Sequence, residues 1–404
     1  PLITARNESF SRTDRLQPAV RLRPMPKWVG KLTVWHAVGA LGLILVIGHT
    51  TSILPQRSPA VIPAVDSLRF ISIGDFGVTE CGRRGEEKCK GATQARVARS
   101  MDDVSHTFKP HFLLSLGDNF YPNGAENLDD LQFENSFEHV YNLPVLRMRK
   151  WWVSLGDHDH CGNVSAVLEY GKGRRGKSWV EDSAQSLPRD YFQLPGPYYH
   201  RQFRLKTGQE FHLIVVDSVA LEGSLGSSGE RRFSKKLSDE YAGADASRRH
   251  WAWLETTLIK VSSGMAPRII MVVGHRPVFS CAQRSRTRAE ERVSNRLHTL
   301  LSQFGVSMYI NGHDHSQQHI TKDGVQYFGN GVGGFNLHRV DKKKAWPENR
   351  GQEVLWAESG QNGRIPPLFR LRRRPSSTPA SKLFSSSSSS SFAPSALLII
   401  SAVK

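Results

Sequence analysis

Five short polar clusters recur along the middle of the chain, and each contains residue types that bind metal ions. They are Gly74-Asp75-Phe76-Gly77, Gly117-Asp118-Asn119-Phe120-Tyr121, Gly156-Asp157-His158-Asp159-His160, Gly274-His275-Arg276-Pro277 and Gly312-His313-Asp314-His315. One such cluster is commonly only a turn or a solvated pair, but five in succession are hard to explain by chance. Carboxylate and phenolate oxygens are hard donors, and imidazoles suit Fe, Zn or Mn. Together they predict a two-metal site able to clamp a phosphate and activate a water.

Short apolar stretches predicted as strands precede these clusters. The predicted strands are Leu68–Ile73, Phe112–Leu116, Trp152–Leu155, Phe211–Val216, Ile269–Val273 and Met308–Ile310, and helices are predicted between them at Thr93–Asp103, Arg248–Val261 and Arg288–Gln303. Strands that alternate with helices indicate a layered α/β fold. Because ligands bind beyond the carboxyl ends of such strands, we expect the five clusters to meet in one place. The glycine that opens each cluster allows the sharp turn required there.

The net charge of +17 lies mainly at the two ends of the 404-residue chain. Residues 1–65 carry eight Lys and Arg against two acids, and residues 365–404 carry six against none. The middle of the chain is therefore nearly balanced, and its composition does not indicate nucleic-acid binding. We predict a basic leader over 1–66, a globular domain over 67–340 and a basic, Ser-rich tail over 341–404.

The leader contains the apolar run Val38–Ile47, which four basic residues precede: Arg21, Arg23, Lys27 and Lys31. This arrangement predicts a secretory signal or a signal anchor around residues 34–54. A buried core helix is the alternative, because a span requires ~20 apolar residues. We expect a secreted, lysosomal, vacuolar or membrane-anchored protein whose globular domain is lumenal or extracellular. Cleaved signal and retained membrane tether both stay open.

Cysteine usage and one sequon agree with the secretory prediction. The four cysteines show no CxxC spacing, and Cys81 and Cys89 could close a short loop. Asn163-Val164-Ser165 is a glycosylation acceptor sequence. The tail contains the runs Lys342–Lys344, Arg372–Arg374 and Ser385–Ser391, a composition that predicts disorder for most of it.

Residues 68–340 resemble the purple acid phosphatases, in particular the small, tartrate-resistant, animal-like type within the calcineurin-like metallophosphoesterases. The likeness includes sequence between the clusters, as in the strings HFLLSLGDNFY over His111–Tyr121, GDHDHCGNVSA over Gly156–Ala166 and YINGHDH over Tyr309–His315. Tyr121 distinguishes this type from most other metallophosphoesterases. The resemblance implies a layered β-sandwich of two mixed sheets flanked by helices, the metallophosphoesterase fold.

The resemblance also implies a role for each donor. Asp75, Tyr121 and His315 would bind Fe(III), and Asp118 would bridge to a second, divalent ion that is Fe, Zn or Mn. Asp157, His275 and His313 would bind the divalent ion. A metal-bound hydroxide would then attack the phosphorus of a phosphate monoester, and His158 would protonate the leaving alkoxide. The expected partners are small phosphorylated substrates or phosphoproteins.

The chain departs from the family pattern at several positions. Asp157 stands where the family has Asn, and its extra negative charge should tighten the divalent ion and reduce turnover. We expect weak substrate contacts from Asn119, Arg276 and Arg284, although a solvated basic loop around Arg284 is an equal alternative. Beyond residue 363 no strand-like pattern occurs until the final residues, which predicts an unprotected sheet edge.

The leading prediction is therefore an acid phosphatase, a phosphoric monoester hydrolase. One alternative is a phosphodiesterase or pyrophosphatase on the same scaffold, which Tyr121 disfavours. The other is a membrane-tethered binding protein with weak catalysis, in which Asp157 is the damaging change. Fold analogy does not separate these functions, because function depends on the site.

Overall fold

The computed structural model describes residues 65, 67–77, 90–177, 187–223, 243–347 and 351–359, and three strands over 369–373, 384–388 and 398–402. The strands are β1 (Leu68–Ile73), β2 (Phe112–Leu116), β3 (Trp151–Ser154), β4 (Phe192–Gln193), β5 (Tyr199–Arg204), β6 (Glu210–Val215), β7 (Arg268–Val273), β8 (Met308–Asn311), β9 (Gln317–Lys322), β10 (Val325–Asn330), β11 (Glu353–Glu358), β12 (Phe369–Arg373), β13 (Phe384–Ser388) and β14 (Leu398–Ala402). The helices are α1 (Lys90–Phe108), α2 (His139–Tyr141), α3 (Asp157–Cys161), α4 (Val164–Gly171), α5 (Gly243–Ser262) and α6 (Arg288–Gln303).

The strands form two mixed sheets of seven strands each. The first has the order β13-β12-β14-β1-β2-β3-β4 and the second β11-β9-β10-β8-β7-β6-β5. In both sheets the central strands are parallel, as in the pairs β1–β2 and β7–β8. Strands β14, β5 and β9 are antiparallel to their neighbours β1, β6 and β10. The prediction of two mixed sheets flanked by helices is confirmed.

Alternate residues of the second sheet belong to two different apolar layers. On strand β6, Phe211 and Leu213 belong to the layer shared with the first sheet, where the Phe211 ring lies 6.2 Å from that of Phe70. Ile214 belongs to the other layer, with Leu254 of α5 and with residues of α6. The period of two that defines a strand therefore builds a sandwich core on one face and a helix-covered core on the other.

Local sequence explains why the elements begin and end where they do. All six predicted strands are present, with bounds within one residue of the prediction. Helix α6 has the predicted bounds because its first turn carries a capping box. The Thr287 hydroxyl accepts from the Glu290 N–H at 3.1 Å, and the Glu290 carboxylate accepts from the Thr287 N–H at 2.6 Å.

The tail differs from the sequence prediction. Strands β12, β13 and β14 lie within the segment predicted to be disordered, and β14 pairs with β1 through contacts such as Ile399↔Ile71. These strands extend the first sheet beyond β1, so β1 is not an edge strand. A strand gains its backbone hydrogen bonds from a partner far away in the chain, so a weak local pattern does not exclude it.

Several predictions concern residues outside the described ranges. They are the apolar run Val38–Ile47, the cysteines Cys81 and Cys89, and most of the tail. In the part of the chain that the structure describes, no helix has the length and apolar character needed to cross a bilayer. Cys281 is a buried free thiol.

Candidate metal centre

The five clusters lie at the ends of β1, β2, β3, β7 and β8, where the backbone turns sharply. Asp75, Asp118 and His313 have φ angles of 62°, 53° and 65°, in the left-handed region that ordinary residues rarely occupy. A Cβ atom on Gly156 would lie 2.2 Å from Asp118 Oδ1, and one on Gly312 would lie 2.5 Å from Asp75 Oδ2. Glycine is therefore required at these two positions because neighbouring clusters approach so closely. Left-handed residues that cluster in this way are typical of functional sites.

One group of donors gathers around the Tyr121 hydroxyl, and we name it the tyrosine group: Asp75, Asp118, Tyr121 and His315. Tyr121 Oη donates to Asp118 Oδ2 at 2.8 Å and lies 3.3 Å from Asp75 Oδ1. His315 Nε2 lies 3.5 Å from Tyr121 Oη and 3.3 Å from Asp75 Oδ1. No member is more than 7% exposed. The group presents three oxygen donors and one nitrogen to a single buried point.

A second group adjoins the first, and we name it the histidine group: Asp157, His275 and His313. Asp157 Oδ1 lies 2.9 Å from both His275 Nε2 and His313 Nδ1, and these two nitrogens are 3.1 Å apart. All three donor atoms lie within 4.8 Å of one another. Asp118 faces both groups, because its Oδ1 lies 3.3 Å from His275 Nε2 while its Oδ2 binds Tyr121. One carboxylate thus joins the two groups.

The outer edges of two imidazoles are held by backbone carbonyls. His275 Nδ1 lies 2.8 Å from the carbonyl of Leu116, and His315 Nδ1 contacts the carbonyl of Asn336. A carbonyl can only accept, so each Nδ1 must carry the proton. Nε2 of each ring is then the nitrogen directed at the shared donor cluster. This orientation by outer partners fits rings that bind a cation.

The electrostatics of the two groups also fit a cation. Burial acts to raise the pKa of Asp157, but His313 and His275 hold it well below its ordinary value. Burial likewise opposes the ionisation of Asp118, yet His275 lowers the pKa of Asp118 to about 2. Burial, together with the charges of Asp118 and Asp75, raises the pKa of Tyr121 well above its ordinary value. The site thus concentrates carboxylate charge in a buried place, where a bound cation would offset it and favour the phenolate.

His158 lies beside the donors without belonging to either group. Its backbone N–H donates to Asp118 Oδ1 at 2.9 Å, and its ring centroid is 4.2 Å from that of Tyr121. The ring is half-buried, and its Nδ1 contacts the carbonyl of Pro122. Nδ1 therefore carries a proton toward that carbonyl, and Nε2 is left as the nitrogen able to exchange a proton elsewhere.

The residues predicted to contact substrate have partners within the protein. The Asn119 amide donates to the carbonyl of Ser154 at 3.0 Å and to Asp159 Oδ2 at 2.8 Å. Arg276 is 7% exposed and forms an ion pair with Glu222. Arg284 has the more exposed guanidinium, although it lies 3.9 Å from Asp314 Oδ1. The predicted phosphate contacts stay predictions, and Arg284 is the best placed of the three to make one.

The predicted glycosylation residue has a structural role at the surface. Asn163 is the N-cap of α4, and its side-chain oxygen accepts from the Ala166 N–H at 3.2 Å. Capping of this kind satisfies one of the backbone donors at the start of the helix. Glycosylation of Asn163 stays a prediction.

Several residues important to the site were not predicted from the sequence. Phe335 stacks on Tyr121 with ring centroids 4.3 Å apart, and His338 Nδ1 accepts from the His315 N–H at 3.1 Å. Asp159 accepts from the Gly156 N–H at 2.8 Å, and burial together with the Asp118 charge raises its pKa to about 7. Glu290 lies 3.6 Å from His313 Nε2. The glycine-rich stretch before Phe335 was the one local signal that could have directed attention to this loop.

Comparison with solved structures supports the fold. The protein described as "GAP50 the anchor in the inner membrane complex of Plasmodium" aligns with a TM-score of 0.53 over 72% of this chain and 78% of its own. Its sequence identity is 22%, a level at which the likeness concerns the fold alone.

Comparison with known sequences identifies the family. Residues 68–317 match the calcineurin-like phosphoesterase model. The chain is 30% identical to tartrate-resistant acid phosphatase type 5 of Oryctolagus cuniculus, over 79% of this chain and 88% of that protein. It is 31% identical to the Homo sapiens protein of the same name, over 70% and 77%, and 28% identical to purple acid phosphatase 7 of Arabidopsis thaliana, over 78% and 81%. These relatives support phosphoric monoester hydrolysis as the activity. The chain belongs to the calcineurin-like phosphoesterases and, within them, to the purple acid phosphatase family.

Proposed function

We propose that the chain is an acid phosphatase that hydrolyses phosphate monoesters at a dinuclear centre of Fe(III) and a divalent ion, which is Fe, Zn or Mn. The observation that carries this proposal is the convergence of seven buried donors from five strand ends, joined through Asp118. When bound, the two ions would polarise the phosphate and supply the nucleophile by lowering the pKa of a bound water.

The tyrosine group is suited to the ferric ion. Its donors are two carboxylates, a phenol and one imidazole, and hard oxygen donors favour the more highly charged ion. The histidine group has two imidazoles and one carboxylate, a set that suits a divalent ion. Asp118 would bridge the two, because each of its oxygens faces a different group.

His158 is the residue placed to supply a proton to the leaving group. Its Nδ1 is directed at the Pro122 carbonyl, and its backbone N–H is bound to Asp118. As an imidazolium it can therefore keep its Nδ1 proton, which is hydrogen-bonded to the carbonyl, and give up its Nε2 proton. Transfer of that proton to the departing alkoxide is general acid catalysis.

The proposal is tested with the purified protein on an aryl phosphate near pH 5, with tartrate present and with a bis(aryl) phosphate as the diester control. We expect tartrate-resistant hydrolysis of the monoester. A visible absorption band should arise from Tyr121 bound to ferric iron, and Tyr121→Phe should abolish it. A colourless sample that contains a full complement of iron would contradict the assignment of Tyr121.

A binding role with weak turnover is the second candidate function. Asp157 favours this candidate. Its carboxylate lies 2.9 Å from each of two candidate metal-binding imidazoles, so it adds negative charge where a phosphate must approach. The Plasmodium protein of similar fold is described as an anchor, and an anchoring role here would agree with low catalytic activity.

Asp157→Asn separates the two functions. The amide keeps the shape of the side chain and removes its charge, so we expect weaker divalent-ion binding and a several-fold higher turnover at pH 5. Turnover that appears only in the variant would support the binding role for the natural chain. Lower turnover in the variant than in the natural chain would show that the Asp157 charge assists catalysis.

A further inference from the structure

A charged cluster lies at the Nε2 edge of His313, opposite the edge that faces Asp157. Glu290, in the first turn of α6, is its centre. Glu290 Oε1 lies 3.6 Å from His313 Nε2 and 4.0 Å from a guanidinium nitrogen of both Arg276 and Arg284. Glu290 is 7% exposed, so this carboxylate is buried and depends on these neighbours for compensation.

His313 differs in this respect from the other two candidate metal-binding histidines. His275 and His315 direct their outer nitrogens at backbone carbonyls. Within the described ranges, His313 Nε2 has no hydrogen-bond acceptor, and the Glu290 carboxylate stands at ion-pair distance. A carboxylate behind a metal-binding imidazole selects the tautomer of the ring. It also makes the opposite nitrogen a stronger electron-pair donor to the metal than a backbone carbonyl would.

The capping box of α6 holds Glu290 in place without help from a metal. Glu290 Oε2 accepts from the Thr287 N–H at 2.6 Å, while the Glu290 N–H donates to the Thr287 hydroxyl at 3.1 Å. The first of these bonds occupies Oε2 of the carboxylate and leaves Oε1 directed at His313. The cap therefore orients a carboxylate that the histidine group can use.

We propose that Glu290 is a positioning residue for the divalent ion. It takes the Nε2 proton of His313 as a hydrogen-bond acceptor, so that Nδ1, the nitrogen beside Asp157 and His275, binds the ion. Arg276 and Arg284 act through Glu290 by keeping its charge compensated in the buried cluster. This role rests on the proposed function, because His313 is a metal ligand only in the proposed dinuclear centre.

The test compares the metal affinities of the two groups in the full chain. Glu290→Gln keeps an oxygen for the Thr287 N–H but removes the charge. We expect its Zn²⁺ affinity, measured by competition with a chromophoric chelator, to fall about 10–100-fold. The iron content and the visible band of the tyrosine group should stay unchanged. Glu290→Asp keeps the charge on a shorter side chain, so its Zn²⁺ affinity should lie between those of the natural chain and Glu290→Gln.

Glu255→Gln, the same change at an exposed position of α5, is the matched control. Its Zn²⁺ affinity should stay close to that of the natural chain. The inference is overturned if Glu290→Gln binds Zn²⁺ as tightly as the natural chain, or if Glu255→Gln shows the same loss. A natural chain that binds no divalent ion at all would overturn the dinuclear centre itself, a result readily distinguished from a failure confined to Glu290→Gln.

Discussion

The two donor groups of the candidate metal centre are supported by different kinds of contact. Behind the tyrosine group lie two rings, those of Phe335 and His338, which stack on Tyr121 and His315, and a backbone carbonyl of the loop that carries them. Behind the histidine group lie charged and titratable side chains, among them Glu290 and Asp217. Asp217 binds His160 of α3 at 2.8 Å, and α3 also carries Asp157. Packing should therefore control the first group, whereas charge and pH should control the second.

The largest effect is expected where the two groups join. Asp118→Asn removes the charge that both groups share, and Asn tolerates the left-handed backbone at this position. We expect phosphatase activity to fall by more than the roughly 100-fold that loss of an outer partner can cause. The contents of both metals should fall as well, as measured by elemental analysis.

Asp103→Asn, a change at an exposed position of α1, is the matched control for Asp118→Asn and should leave activity and both metals unchanged. Loss of one metal alone in Asp118→Asn would show that Asp118 serves a single group. That outcome would contradict the bridging role.

Acid should lower the stability of the protein through His250, which lies in the region behind the histidine group. This residue is 1% exposed and lines a cavity together with Asp217, and burial lowers its pKa from 6.5 to about 4, although Asp217 partly opposes the shift. Between these pH values the unfolded chain binds a proton that the folded chain excludes, so stability falls as pH falls from 6.5 to 4. The loss should reach about 3 kcal/mol at pH 4.

His250→Phe should remove this pH-dependent loss. Both ring nitrogens of His250 lack a hydrogen-bond partner in the described structure, so Phe gives up no bond there and can keep the stacking on Tyr198. The free energy of unfolding, measured with denaturant, should decrease less between pH 7 and pH 4 in the variant than in the natural chain. Between pH 7 and pH 8 the two curves should run parallel. Equal decreases down to pH 4 would show that His250 does not contribute to acid sensitivity.

The smallest effect is expected behind the tyrosine group. Phe335→Leu keeps an apolar side chain but removes the ring that lies 4.3 Å from Tyr121 at an interplanar angle of 7°. We expect a loss of about 1 kcal/mol in the free energy of unfolding, the usual value of an aromatic pair. The visible band of the iron-loaded protein should also shift, while Zn²⁺ affinity stays constant.

Phe335→Tyr keeps the ring and should resemble the natural chain in both measurements. If Phe335→Leu weakened Zn²⁺ binding as much as Glu290→Gln does, the two groups would not be supported independently. The comparison between them would then be wrong.

Some elements were predictable because their signals are local. The capping box Thr287-x-x-Glu290 places the start of α6 within four consecutive residues, and the apolar run Met308–Ile310 predicts β8 in the same way. Strands β12 and β13 were missed in the tail, because their Arg-rich and Ser-rich sequences give no local strand pattern. They are held by pairing with each other and with β14.

The donor types, their order and the glycines that bring them together can be read from the sequence, because these depend on the chemistry and backbone preferences of a few adjacent residues. The residues behind each donor are set by the tertiary structure. It turned Arg276 toward Glu222 and Glu290, placed Phe335 on Tyr121, and brought Glu290 to His313. Such contacts join residues far apart in the chain and depend on how whole strands and helices pack, which no short stretch of sequence contains.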